Sequence, residues 1–306
     1  MLIAKLPDMK NISLDSWNHP EFQKNELSID VLRLDKIHPD ISGNKWFKLK
    51  YYLERARKSD KQKLISFGGA YSNHLLALAA ASGIYGFSSI GYVRGEKPRK
   101  LSHILQAASG YGMELRFLTR SDYDQKKKLA VAHPVDENES EALLIPEGGA
   151  GMEGILGVGE ILSLVSLYRY SHICCAVGTG TTLTGIINSA GDNQKIIGVS
   201  VLKGTGGFEP LNIFQVINSE RLDNVQMIHS AHFGGYAKKD QSLIDFMNQL
   251  YNESCIPTDF VYTGKLFFAI YHMIVEKAFP SGSRILIIHS GGLQGNLSLA
   301  PGLLQF

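Results

Sequence analysis

The stretch His172-Ile173-Cys174-Cys175-Ala176-Val177-Gly178-Thr179-Gly180-Thr181-Thr182-Leu183-Thr184-Gly185 decides the fold class. After His172 come five apolar residues with no polar alternation, the pattern of a strand covered on both faces. The glycines and threonines that follow make a tight turn, and the chain then opens a helix at 186–189. The same unit recurs on either side. Residues 29–34 form a strand that enters the loop 38–44, after which Trp46, Leu49, Leu53 and Ala56 repeat at helical spacing. Residues 64–67 run into Gly68-Gly69 and a helix over 75–82. Strands at 89–93, 114–118, 143–145, 196–201 and 284–289, with helices at 101–109 and 157–168, complete the alternation. It predicts an α/β fold with mostly parallel sheets.

At roughly 150 residues per domain, a chain of 306 residues divides into about two. No Pro/Gly/Ser-rich linker separates them, so one domain is expected to be inserted in the other: 1–44 plus 153–306 form the larger, 45–152 the smaller. Lys plus Arg number 31 and Asp plus Glu 29, a net charge of +2, without the clustered basic excess of a nucleic-acid binder. The three cysteines make neither a disulfide framework nor a zinc-type spacing, and Cys174-Cys175 read as small apolar residues of a strand. The opening residues lack the apolar core of a signal peptide, and no apolar run approaches the roughly 20 residues of a membrane span. A cytoplasmic protein is expected, without membrane or nucleic-acid partners. Glycine is over-used, 31 of 306 residues against a usual ~7%.

Those glycines sit where ligands bind in α/β folds, between a strand's carboxyl end and a helix. The 178–185 turn is not a Walker loop, because Ile186 stands where lysine is needed, and Leu183 breaks the dinucleotide fingerprint. It suits a single phosphate, or a turn that binds nothing. Gly68-Gly69-Ala70-Tyr71-Ser72-Asn73-His74 opens another helix and offers N–H groups and polar side chains to a carboxylate, or simply an N-cap. Ser42-Gly43-Asn44-Lys45 puts a lysine at a loop-to-helix junction, a residue that by itself would ordinarily be solvated.

Taken together and in order, these elements resemble the fold-type II pyridoxal-phosphate enzymes, and most closely the family of 1-aminocyclopropane-1-carboxylate deaminase and D-cysteine desulfhydrase. The resemblance spans residues 29–292. Gly43-Asn44-Lys45 matches the family's Gly-Asn-Lys, whose lysine forms the Schiff base with the cofactor. Ser72-Asn73-His74 matches its Ser-Asn-His or Ser-Asn-Gln element, in which serine contacts substrate and asparagine bonds the cofactor's phenolic oxygen. Gly178, Thr179, Gly180, Thr181 and Thr182 fall on its phosphate loop. Tyr262-Thr263-Gly264-Lys265 and His289-Ser290-Gly291-Gly292 match two further signatures.

The resemblance implies a two-domain fold of the tryptophan synthase beta type with pyridoxal 5'-phosphate in the interdomain cleft, and a homodimer. It implies Lys45 as the cofactor's covalent anchor and base, and Ser72, Asn73 and His74 as the substrate-carboxylate site. Ser290 would face the ring nitrogen, and Tyr236 and Tyr262 would handle the β-substituent. The deaminases carry Glu after the tyrosine and His-Leu-Gly-Gly at the last signature; here Thr263 and Ser290 place the chain with the desulfhydrases. A hydroxyl near the ring nitrogen leaves it unprotonated and the ring a weaker electron sink. The activity so implied is α,β-elimination on a small D-amino acid, D-cysteine giving pyruvate, ammonia and sulfide. Opening of 1-aminocyclopropane-1-carboxylate, or elimination or racemisation on D-serine or a related amino acid, are the alternatives. The chain departs from the family pattern at Phe47, often Arg, at Phe260, often Pro, and at Tyr236-Ala237-Lys238-Lys239-Asp240, usually Tyr-Gly-x-Pro-Asn.

Overall fold

The structure is a computed structural model and describes residues 6–132, 141–204 and 219–306. Its strands, numbered along the chain, form two sheets. The larger runs in the order β1 (Ser13–Ser16), β2 (Ser28–Arg33), β10 (Arg284–His289), β7 (His172–Val177), β8 (Lys195–Ser200), β9 (Val225–Ile228). Only the β1–β2 pair is antiparallel. The smaller sheet, β5 (Glu114–Leu118), β4 (Ser88–Arg94), β3 (Lys63–Gly68), β6 (Ala142–Leu144), is parallel throughout. The parallel α/β architecture expected from the sequence is therefore present.

The apolar run of β7 is buried on both sides because successive side chains point to opposite faces. Cys174 and Ala176 join Val31, Ile285 and Ile287 on one face. Ile173, Cys175 and Val177 join Leu32, Leu286 and Ile288 on the other. The helices, also numbered along the chain, are α1 (Pro20–Lys24), α2 (Asn44–Lys58), α3 (Asn73–Tyr85), α4 (His103–Gly110), α5 (Arg120–Ala132), α6 (Met152–Gly159), α7 (Thr181–Ser189), α8 (Gln241–Ser254) and α9 (Thr263–Val275). Among the described residues no helix is long and apolar enough to cross a membrane.

Two helices depart from the sequence reading. The helix expected over 157–168 is instead α6, followed by the 3-10 turns Glu160–Leu164 and Leu167–Arg169. Glycines that look like loop residues serve here as contact points: a Cβ on Gly157 would lie 1.8 Å from the Phe47 carbonyl oxygen, so α6 can seat directly on α2. α7 likewise begins at Thr181, not at 186. Gly180, at φ +87°, turns the chain from β7 straight into the helix, a conformation that penalises a side chain. The sequence reading also leaves 241–275 unassigned, where α8 and α9 form.

Candidate active site

The loops leaving β10, β7 and β3 all lie at carboxyl ends of parallel strands, and the residues singled out in the sequence converge there. Gly43 is the N-cap of α2 at φ +65°, ψ −139°. A Cβ on it would stand 1.9 Å from the Ser290 carbonyl oxygen, to which the Asn44 N–H donates at 3.2 Å. Only glycine permits this approach, and it holds the start of α2 against the loop after β10. Lys45, the next residue, is partly buried. Its Nζ donates to Asn44 Oδ1 at 2.9 Å, and Asn44 Nδ2 donates to Thr182 Oγ1 at 2.9 Å. Asn44 thus links the lysine to the 178–182 loop. Burial lowers the Lys45 ammonium to about 8 against the opposing pull of Asp259, so roughly a tenth of it is neutral one unit below that value.

In the 178–182 loop, Thr181 and Thr182 are buried in the first turn of α7, and Thr179 Oγ1 pairs with Thr181 Oγ1 at 3.2 Å. Helix α7 directs its free N–H groups and positive dipole end into this turn. One residue the sequence reading missed belongs here. Lys48 lies one helical turn beyond Lys45 and is only 5% exposed, with no ion pair or hydrogen bond among the described residues. Burial and the neighbouring Lys45 push its ammonium well below the usual lysine range. A buried amine beside a second lysine keeps its proton only when a negative group is brought to it. Its signal was the i, i+3 spacing from Lys45 on one face of α2.

Ser72 is the N-cap of α3, its Oγ accepting from the Leu75 N–H at 3.3 Å. Asn73 Nδ2 reaches the Gly292 carbonyl at 3.5 Å, while its Oδ1 is buried without a partner. His74 is buried too. The Ser66 hydroxyl donates to the Ile145 carbonyl at 2.7 Å and so receives the His74 Nε2–H at 2.8 Å. That network assigns the proton to Nε2 and leaves Nδ1 a bare, unpartnered acceptor. Burial, with Lys45 and Lys48 nearby, depresses the imidazole to about 3.

Tyr262 caps α9, and Lys45 Nζ lies 6.0 Å from its ring centre. The Tyr236 and Tyr262 rings meet edge to face at 6.0 Å. Tyr236 exposes half its surface, but its hydroxyl end is enclosed against Tyr262; burial raises both phenols. The expectation for Thr263 needs correction. Its hydroxyl donates to Asp259 Oδ1 at 2.7 Å and accepts the Asp259 N–H at 2.7 Å, so it is not free to meet a ring nitrogen. The Asp259 carboxylate is equally occupied, accepting the N–H groups of Val261, Tyr262 and Thr263 at 2.8–2.9 Å. Ser290, buried beside Gly43, keeps a hydroxyl without a partner among the described residues.

A profile of the family described as "Pyridoxal-phosphate dependent enzyme" matches residues 22–291. The chain belongs to this family. Among curated relatives of this pyridoxal-phosphate enzyme, a Pyrococcus horikoshii protein named "Putative 1-aminocyclopropane-1-carboxylate deaminase" is 27% identical, covering 99% of this chain and 97% of its own length. An Arabidopsis thaliana protein, named as a bifunctional mitochondrial D-cysteine desulfhydrase/1-aminocyclopropane-1-carboxylate deaminase, is 26% identical over 91% of this chain and 75% of its own. A solved structure of an ACC deaminase homologue shares the fold at a TM-score of 0.79 and 23% identity, covering 96% of this chain and 92% of its own. The family's cofactor fits the residues present. A phosphate would meet a glycine turn and a helix N-terminus, and a buried lysine that an anion would keep charged; a ring hydroxyl would meet the unpartnered Asn73 amide oxygen; an aldehyde would meet a lysine of lowered basicity.

Proposed function

We propose that the chain catalyses α,β-elimination from a small D-amino acid, with D-cysteine giving pyruvate, ammonia and sulfide. Pyridoxal phosphate, when bound, supplies an aldehyde for amine condensation and an electron-poor ring that accepts the electron pair left at Cα. The protein's residues do the rest. Lys48 and the 178–182 turn would hold the phosphate, and Asn73 would orient the ring through its amide. The N–H groups at the start of α3, with Ser72, would take the substrate carboxylate. Lys45, whose amine is already partly neutral near pH 8, would take the Cα proton, whose electron pair becomes the Cα–Cβ double bond as the C–S bond breaks. The paired hydroxyls of Tyr262 and Tyr236 would deliver a proton to the departing sulfur.

One observation carries the choice of elimination over ring opening. The Asp259 carboxylate is fully engaged and Thr263 is consumed by it, so the group left for the ring nitrogen is the neutral Ser290 hydroxyl. A neutral partner does not hold that nitrogen protonated. Expulsion of a thiol tolerates the weaker sink because charge leaves with sulfur; cyclopropane opening has no such leaving group. The two activities in the Arabidopsis relative's name favour ring opening as a second reading. Keto-acid release by the holoenzyme from D-cysteine, D-serine and 1-aminocyclopropane-1-carboxylate tests it. The expected order places D-cysteine first, and preference for the cyclopropane acid would refute the proposal.

A further inference from the structure

The segment before α8 is strained. Phe233 and Ala237, both non-glycine, sit at φ 52° and 54°, with Gly234 and Gly235 at 91° and 121° between them. Four of five consecutive residues in the left-handed half of the backbone map persist only when their surroundings over-determine them, and such strain concentrates at functional sites. The residue this turn presents is Tyr236.

The clamp comes from α9. Lys265 is fully buried, and its ammonium donates to the His232 and Gly235 carbonyl oxygens at 2.8 Å each. The same carbonyls close the turn from within, accepting the Gly235 N–H at 2.9 Å and the Lys238 N–H at 3.1 Å. The His232 ring adds an acceptor for the Gly234 N–H at 2.9 Å. Asp259, six residues before Lys265 and just outside α9, supplies the compensating negative charge, without which burial would lower the ammonium further than its value of about 8. Tyr262 stands three residues before Lys265, so a single helix start carries both the clamp and the ring against which Tyr236 packs.

We propose that Lys265 is a positioning residue: it fixes the 232–236 turn so that the Tyr236 hydroxyl meets Tyr262 over the substrate's β-carbon. This rests on the role given above to the tyrosine pair. Two lost donations release a strained turn, and displacement of a catalytic group by about 1 Å is worth about 10²-fold in turnover.

The test compares Lys265→Met, Tyr236→Phe and the double variant as holoenzymes, with Lys265→Gln as the second variant if methionine prevents folding. Lys265→Met is expected to lower kcat for D-cysteine about 10²-fold, with KM and cofactor affinity unchanged, and the double variant to be no worse than the poorer single one. Independently of turnover, amide hydrogen exchange in the free protein should quicken at Gly235 and Lys238 and stay unchanged within α9. Losses that multiply in the double variant, or unchanged exchange at both amides, would overturn the clamp. A silent Tyr236→Phe with quickened exchange would overturn the catalytic half, and with it the reading of Tyr236 itself.

Discussion

Thr263 is fully buried, and its hydroxyl both donates to and accepts from Asp259. Thr263→Val keeps the shape and removes both bonds. The donated bond reaches a carboxylate, worth about 1.5–3 kcal/mol; the accepted one, once lost, leaves the Asp259 N–H orphaned at a further cost of about 1–3 kcal/mol. The expected loss is about 3–5 kcal/mol. Thr263→Ser keeps both bonds and gives up one methyl, about 1 kcal/mol. Urea unfolding at fixed cofactor concentration separates them, because ligand present at different saturation would shift the midpoint by itself. With an m-value of about 3 kcal/mol/M, valine lowers the midpoint by 1 M or more and serine by about a third of that. Equal midpoints for the two variants would show that the hydroxyl does not bracket Asp259. Thr263→Glu, placed in the same enclosed space against an ionised carboxylate, should fail to accumulate as folded protein, so that swap does not test the ring-nitrogen argument.

Borohydride reduction of the holoenzyme should place the pyridoxyl group on Lys45, and mass spectrometry locating it elsewhere would sink the anchor assignment. Gly180→Val should weaken cofactor affinity about 10²-fold or more, whereas Thr179→Ala, which loses one neutral bond worth about 1 kcal/mol, should cost less than tenfold; equal effects in a cofactor titration argue against a backbone cradle. His74 is held neutral in the fold, so its stabilising contribution is present above its unfolded value near 6.5 and is lost as pH falls toward its folded value of about 3. Between pH 8 and 5.5 the loss is about 1.4 kcal/mol, and urea midpoints of His74→Gln should lack that part of the acid slope. Ala237→Gly relieves a left-handed alanine at about 1–2 kcal/mol and returns about 0.5–1 kcal/mol of unfolded-state entropy, so its thermal midpoint should rise slightly; a fall would show that the methyl packs.

The sheets and the loops at their carboxyl ends were legible because burial on both faces leaves an unbroken apolar run, and a strand-to-helix turn needs glycine where φ is positive. Lys45, Asn73 and the 178–182 turn were singled out by the order of their motifs along the chain, because each taken alone reads as a solvated side chain, a cap or a plain turn. Thr263 was misread because its partners depend on where Asp259 falls relative to the first turn of α9. The burial of Lys48 and Lys265 was hidden for a different reason. A lysine's default is solvent, and only the packing of α2 against the Gly149 turn and of α9 against the 232–235 carbonyls removes them from it.

The strand that completes the larger sheet is made late. β10 lies between β2 and β7, yet the ribosome delivers it more than 250 residues after β2. Until it arrives, β2 and β7 are two separate edges with apolar faces and unsatisfied ladders, a state that invites wrong pairing. The Gly43–Ser290 contact adds a second dependency, since the lysine at the start of α2 has no floor until Ser290 is docked beneath it. The start of α2 therefore gains its packing partner only after residue 290 is made, and a nascent polypeptide stalled before residue 284 carries Lys45 and the 178–182 turn without the strand and loop they pack against.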